Sequence, residues 1–234
     1  MSFADLKKPK TKKFTHVYPP YVELLSDLVC ETTETGRRYQ TLEGNWYPSI
    51  TTVLQEKKKN NATLKKWNRD NPGALAKAGT RGDRVHTLIE NMLDNEPLKN
   101  IGPDRMMIDL FRKVLSEHVD NIEAQEVMLY SDQLGIAGRC DLIAEWNGTR
   151  AIIDFKTSTK KKKLRFLGDY QKQMAGYTKM LDELVGQRVA LAVNVIVTDA
   201  GDIQTFAINP WDHLDDLEDD IKHFYRVNKS LALT

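Results

Sequence analysis

Residues 139–156 read Arg139-Cys140-Asp141-Leu142-Ile143-Ala144-Glu145-Trp146-Asn147-Gly148-Thr149-Arg150-Ala151-Ile152-Ile153-Asp154-Phe155-Lys156. Asn147-Gly148 stands between two apolar, β-prone runs. This is the strongest short hairpin signal, because both central positions of a type I′ turn need positive φ. A two-residue loop fixes the register: Trp146 faces Thr149 and, five positions further along each arm, Asp141 faces Asp154. Opposed residues share one face of a sheet, with Cβ atoms about 4.5–5.5 Å apart. Lys156 lies two residues beyond Asp154 and projects from that face too. Two opposed carboxylates on an otherwise apolar hairpin repel each other. A bound cation removes the cost, so the pattern points to a hard-metal site with a lysine beside it. The metal-free alternative is ion pairing of Asp154 with Lys156, Arg139 or Arg150.

The rest of the chain bounds that reading. Its 234 residues suit one domain with a helical elaboration: a basic arm over 1–20, an N-terminal hairpin and helices over 21–120, and a sheet core with a C-terminal helix over 121–234. Hydrophobic content of 41% and charged content of 29% belong to an ordinary soluble globular protein. The two cysteines, Cys30 and Cys140, imply no disulfide framework and favour a reducing compartment. No apolar run approaches the roughly 20 residues that span a bilayer, so no membrane association is expected. The N-terminus is Lys-rich, carries Asp5 and lacks an apolar segment, which argues against a targeting peptide and for a flexible basic tail. The expected location is the cytoplasm of a bacterium or a phage-infected host.

A net charge of +1 hides an asymmetry. Basic runs occupy 7–13, 57–59, 65–66 and 160–163, while acid is concentrated in 212–220. Local basic runs can meet phosphate although the total is near neutral. A solvated lysine surface is the alternative for any single run. Residues 160–163 stand apart because they follow directly on the Asp-x-Lys strand.

Hydrophobic spacing orders the elements. A hairpin over 28–42 bends at Thr35-Gly36, and Pro48-Ser49 opens a helix with Ser49 as N-cap. A second short helix surrounds Trp67. The next helix runs from Thr80, where Thr80-x-x-Asp83 resembles a capping box, to Leu93, with Val85, Leu88, Ile89, Met92 and Leu93 as its stripe. A helix over 106–118, a strand over 126–131 and the central hairpin follow. Then come a helix over 169–185, strands over 189–198 and 203–208, and an amphipathic helix over 211–228. The order predicts an α/β domain with a mixed central sheet flanked by helices.

Several polar residues fall beside this frame. Gly82, His86 and Glu90 form one ridge of the Thr80 helix, and Gly82 leaves room for something to approach the imidazole. His86 alone is more often packed than a ligand. Gln173 and Tyr177 are one turn apart. Glu126 is either a further acidic contributor or a surface residue.

Taken in order, Gly82-x-x-x-His86-x-x-x-Glu90, Gly138-x-x-Asp141, Asp154-x-Lys156-Thr157-Ser158 and Gln173-x-x-x-Tyr177 resemble the motifs of the PD-(D/E)XK nuclease superfamily, in its RecB-type nuclease domains. Tyr47-Pro48-Ser49-Ile50-Thr51-Thr52-Val53-Leu54 and Asp154-Phe155-Lys156-Thr157-Ser158 are further similar to mitochondrial genome maintenance exonucleases and related phage-encoded exonucleases. The superfamily's proline-aspartate is absent, since Asp141 follows Arg139-Cys140.

The resemblance implies a restriction-endonuclease-like core. It implies Mg²⁺ or Mn²⁺ held by His86, Asp141, Asp154 and the Phe155 carbonyl, with Lys156 handling the attacking water and developing charge, and Gln173 and Tyr177 orienting the strand or the lysine. It further implies DNA cleavage at single-stranded ends to a 5′-phosphate and 3′-hydroxyl, in replication, recombination or repair. Proteins of those processes are the expected partners, and a monomer is the expected state. Arg81, Lys65, Lys160, Lys161 and Trp67 are candidate nucleic-acid contacts, with core packing the favoured reading of Trp67. The rivals are a structure-specific endonuclease, an inactive DNA-binding module and, more remotely, an unrelated metal protein.

Overall fold

The computed structural model describes residues 12–26 and 28–229. Helix α1 (Pro20–Leu25) leads into a small antiparallel sheet of β1 (Val29–Thr33), β2 (Gly36–Gln40) and β3 (Trp46–Pro48). Then come α2 (Ile50–Glu56), α3 (Ala62–Asp70), α4 (Ala74–Leu93) and α5 (Arg105–His118). The central sheet has five strands in the order β4 (Val119–Ser131), β5 (Ile136–Trp146), β6 (Thr149–Ser158), β7 (Leu191–Thr198) and β8 (Ile203–Ile208). Helix α6 (Gly168–Val185) connects β6 to β7, and α7 (Leu214–Val227) follows β8. Among the described strands of this sheet, β6 and β7 are the parallel pair and the other neighbours are antiparallel. A parallel pair needs a crossover, and α6 supplies it.

Strand alternation divides the core into two layers around the sheet. Ile143, Ile152 and Ala192 face a cluster with Met174 and Leu181 of α6, Phe224 of α7 and Ile50 of α2. Leu142, Ile153 and Val193 face Val85 and Ile89 of α4 and Phe111 of α5. Burial on both faces explains why β5, β6 and β7 read as near-continuous apolar runs.

The hairpin register holds from Trp146–Thr149 to Leu142–Ile153. Asp141 and Asp154 come next, beyond the last backbone pair. There the Phe155 amide donates to Asp141 Oδ2 at 2.8 Å, so the side chain replaces the ladder.

Four readings need correction. Helix α4 begins at Ala74, not Thr80. Gly73, at φ 77°, enters it without a side-chain cap, and Thr80 Oγ1 bonds back to the Ala76 carbonyl. Trp67 is not core: it is 44% exposed, and α3 has no buried residue. The basic arm, where described, is docked: Ile122 donates to the Thr15 carbonyl, Val17 to the Ile122 carbonyl, and Phe14 is buried. Residues 1–11 of that arm lie outside the described residues. Strand β4 also starts earlier than its alternation suggested, because its register shifts between Asp120 and Ala124.

Candidate active site

The site forms where β4, β5 and β6 come level under α4 and α6. In β4 and β5, Gln125 pairs with Leu142 and Val127 with Cys140, so Glu126 comes level with Asp141. Glu126 takes the left-handed conformation at φ 48°, which costs a non-glycine residue about 1–2 kcal/mol. With Asp154 on β6, three adjacent strands bring a carboxylate to one place. Glu126, the residue left open by sequence, joins the site.

His86 reaches the site from α4. Its Nε2 lies 2.9 Å from the Phe155 carbonyl and therefore donates to it. Its Nδ1 lies 3.5 Å from Glu126 Oε1 and 3.7 Å from Asp141 Oδ2. Burial pulls the His86 pKa down, but Glu126 and Asp141 override that and raise it to about 9. Burial, then the Asp154 charge, raise Asp141 to about 7.

Asp154 is 1% exposed. Its Oδ1 accepts from Lys156 Nζ and its Oδ2 from Asn194 Nδ2 at 3.0 Å. Asn194 comes from β7, where the parallel register sets it beside Asp154. Sequence reading missed it, because a parallel pairing leaves no local signal. Its buried Oδ1 has no hydrogen-bond partner among the described residues, so the amide orientation is fixed by the carboxylate. Lys156 Nζ also lies 5.5 Å from the Tyr170 ring centroid. Burial lowers the Lys156 pKa, but Asp154 and Asp141 raise it above the ordinary value.

Gln173 Nε2 donates to the Tyr177 hydroxyl at 3.1 Å on α6. Tyr177 also explains Gly138: a Cβ there would meet Tyr177 Cε1 at 2.7 Å. The glycine three residues before Asp141 thus lets α6 close onto β5. Around these groups runs a cleft of about 790 Å³, lined by Gly82, His86, Glu90, Glu126, Asp141, Lys156, Gln173 and Tyr177, with Arg37 and Arg139 on its walls. A Cβ at Gly82 would meet open space.

The nucleic-acid candidates scatter more widely. Arg81 is ion-paired with Asp199, and Lys161 with Asp202 at 2.8 Å. Lys160 is exposed on the loop after β6, and Lys65 and Trp67 stand on α3.

Ligand atoms of His86, Glu126 and Asp141 all lie within 4.8 Å of one another. Imidazole and carboxylate donors, with a backbone carbonyl beside them, fit a divalent cation. Glu126 is in this group. Asp154, expected as a ligand, stands next to it, held by Lys156 and Asn194.

The sequence model for the PD-(D/E)XK nuclease superfamily matches residues 62–229. The chain belongs to this superfamily. The five-stranded mixed sheet and its flanking helices are the fold of these nucleases. Among solved structures, SSO0001 is similar at 18% identity and a TM-score of 0.45, over 76% of this chain and 75% of its own. A "putative exonuclease" from Eubacterium rectale is similar at 13% identity and a TM-score of 0.46, over 80% of this chain and 76% of its own. No protein of curated function matches the sequence. No helix among the described residues is long and apolar enough to cross a membrane.

Proposed function

We propose that this PD-(D/E)XK nuclease is a metal-dependent exonuclease that degrades DNA from single-stranded ends, leaving a 5′-phosphate and a 3′-hydroxyl. The observation that carries the reading is the convergence of His86, Asp141, Glu126 and the Asp154–Lys156 pair on one cleft. His86, Asp141, Asp154 and the Phe155 carbonyl, with Glu126 added, would hold Mg²⁺ or Mn²⁺. Such a cation neutralises phosphate charge and acidifies water.

The chain's own groups do the rest. Asp154 fixes the Lys156 ammonium, which donates to water or a phosphate oxygen and offsets charge that develops in the transition state. Charge stabilisation suits Lys156 better than proton abstraction, since its neighbours favour the protonated form. Water attacks phosphorus, the bond to the 3′ oxygen breaks, and that oxygen leaves with a proton. Gln173 and the Tyr177 hydroxyl orient the strand, and Arg37 and Arg139 draw it into the cleft. The exposed, unpacked face of α3, with Lys65 and Trp67, suits a single strand, for which basic grooves and aromatic faces combine. Replication or recombination proteins are the fitting partners of this activity.

End dependence is tested with circular and linear single-stranded DNA of equal length in Mn²⁺. The linear form is expected to disappear while the circle persists. Equal loss of both would make the protein an endonuclease.

A further inference from the structure

The lysine run at 57–59 is internally committed. Lys57 pairs with Asp220, Lys58 with Asp169 and Lys59 with Glu56. The run after β6 differs. Lys161 pairs with Asp202, but among the described residues no carboxylate pairs with Lys160, Lys162, Lys163 or Arg165. These four cations lie within one short loop.

The loop is held in place. Ser158 Oγ donates to the Lys160 carbonyl at 2.8 Å. Gln204 on β8 accepts from the Lys162 amide at 2.8 Å and donates to its carbonyl at 3.0 Å. Leu167 is fully buried and anchors the far end. Between these pins, Leu164 is 60% and Phe166 65% exposed, with the Arg165 guanidinium 4.9 Å from the Phe166 ring centroid. The same loop runs straight from the strand of Lys156 into α6, whose Tyr170 lies over the Lys156 ammonium. A fixed loop that follows directly on the Lys156 strand thus holds out an aromatic ring among cations that have no carboxylate partner among the described residues.

That combination matches one ligand chemistry. An unpaired base offers a π face for stacking, and its flanking phosphates offer charge to the lysines and arginine. A duplex keeps its bases stacked inward. We propose that the loop of residues 159–167 is a stacking platform for single-stranded DNA, with Phe166 taking an unpaired base and Lys160, Lys163 and Arg165 the adjacent phosphates. The inference rests on the nuclease reading above and names the surface that selects a single strand.

The test is fluorescence anisotropy of labelled oligodeoxythymidine, and of a blunt duplex, with the full chain in EDTA. Phe166→Ala is expected to weaken single-strand binding about tenfold or more, consistent with loss of one base stack. Phe166→Tyr should restore it, and duplex binding should change little. Lys160→Ala should reduce the salt dependence of binding by about 0.7 in log–log slope. Unchanged single-strand binding by Phe166→Ala, while the wild type still binds and degrades DNA, would overturn the platform and leave the nuclease standing. A wild type that neither binds nor degrades DNA would overturn both. If Phe166→Ala alters self-association by light scattering and leaves DNA binding intact, the loop is a protein contact and the platform is wrong.

Discussion

Asp154 is held from two sides, and the two partners do different work. Lys156 lines the cleft and can face substrate, while the Asn194 amide donates to the carboxylate. Groups that orient a metal-binding carboxylate typically change metal affinity about 10–100-fold when removed. Asn194→Leu keeps the volume and deletes the donor. It is expected to weaken Mn²⁺ binding by that factor in calorimetric titration, and equal affinity would remove Asn194 from the site. Asp141, Asp154 and Lys156 were legible in sequence because a two-residue turn fixes cross-strand partners by counting. Asn194 and Glu126 were harder to read for physical reasons. One depends on a parallel partner 40 residues away, and the other sits in a left-handed backbone that breaks strand alternation.

At the scale of elements, α7 is fastened by a charge cluster. Asp220, 5% exposed, receives Lys57 from the end of α2 and Lys172 from α6. Burial alone would raise the Asp220 pKa, but the two lysines hold it below the ordinary carboxylate value. A depressed folded pKa adds stability that is complete above the unfolded value, about 3.9, and is lost as pH falls through the folded one. Asp220→Asn should therefore destabilise the protein in urea titration at pH 7 by about 1–3 kcal/mol, discounted because Lys57 is half exposed. The difference from wild type should shrink below about pH 4. A gap that persisted at low pH would mean that packing, not charge, fastens α7. Apolar spacing revealed most helices and strands, since burial on a 3.6 or 2.0 period is written locally. It misplaced the start of α4, where Thr80 and Asp83 mimicked a cap inside a helix that glycine opens. It also misread Trp67, because an amphipathic pattern does not say whether its apolar face finds a partner.

Across the whole molecule, the core of the candidate site falls within the stretch matched by the superfamily. The sequence model covers 62–229, a span that includes His86, Glu126, Asp141, Asp154 and Lys156. Arg37 on the cleft wall comes from the small sheet before it. The acidic residues of α7 read as a single charge block in sequence, yet Asp220 turns inward as a lysine counter-ion while Asp219 stays exposed.

The most direct test is degradation of end-labelled linear single-stranded DNA in Mg²⁺, Mn²⁺ or EDTA by wild type, Asp154→Ala and Lys156→Ala. Metal-dependent loss by wild type alone, with Lys156→Ala still binding the strand, is the predicted result. Degradation that survives EDTA or either substitution would contradict the assignment of the site.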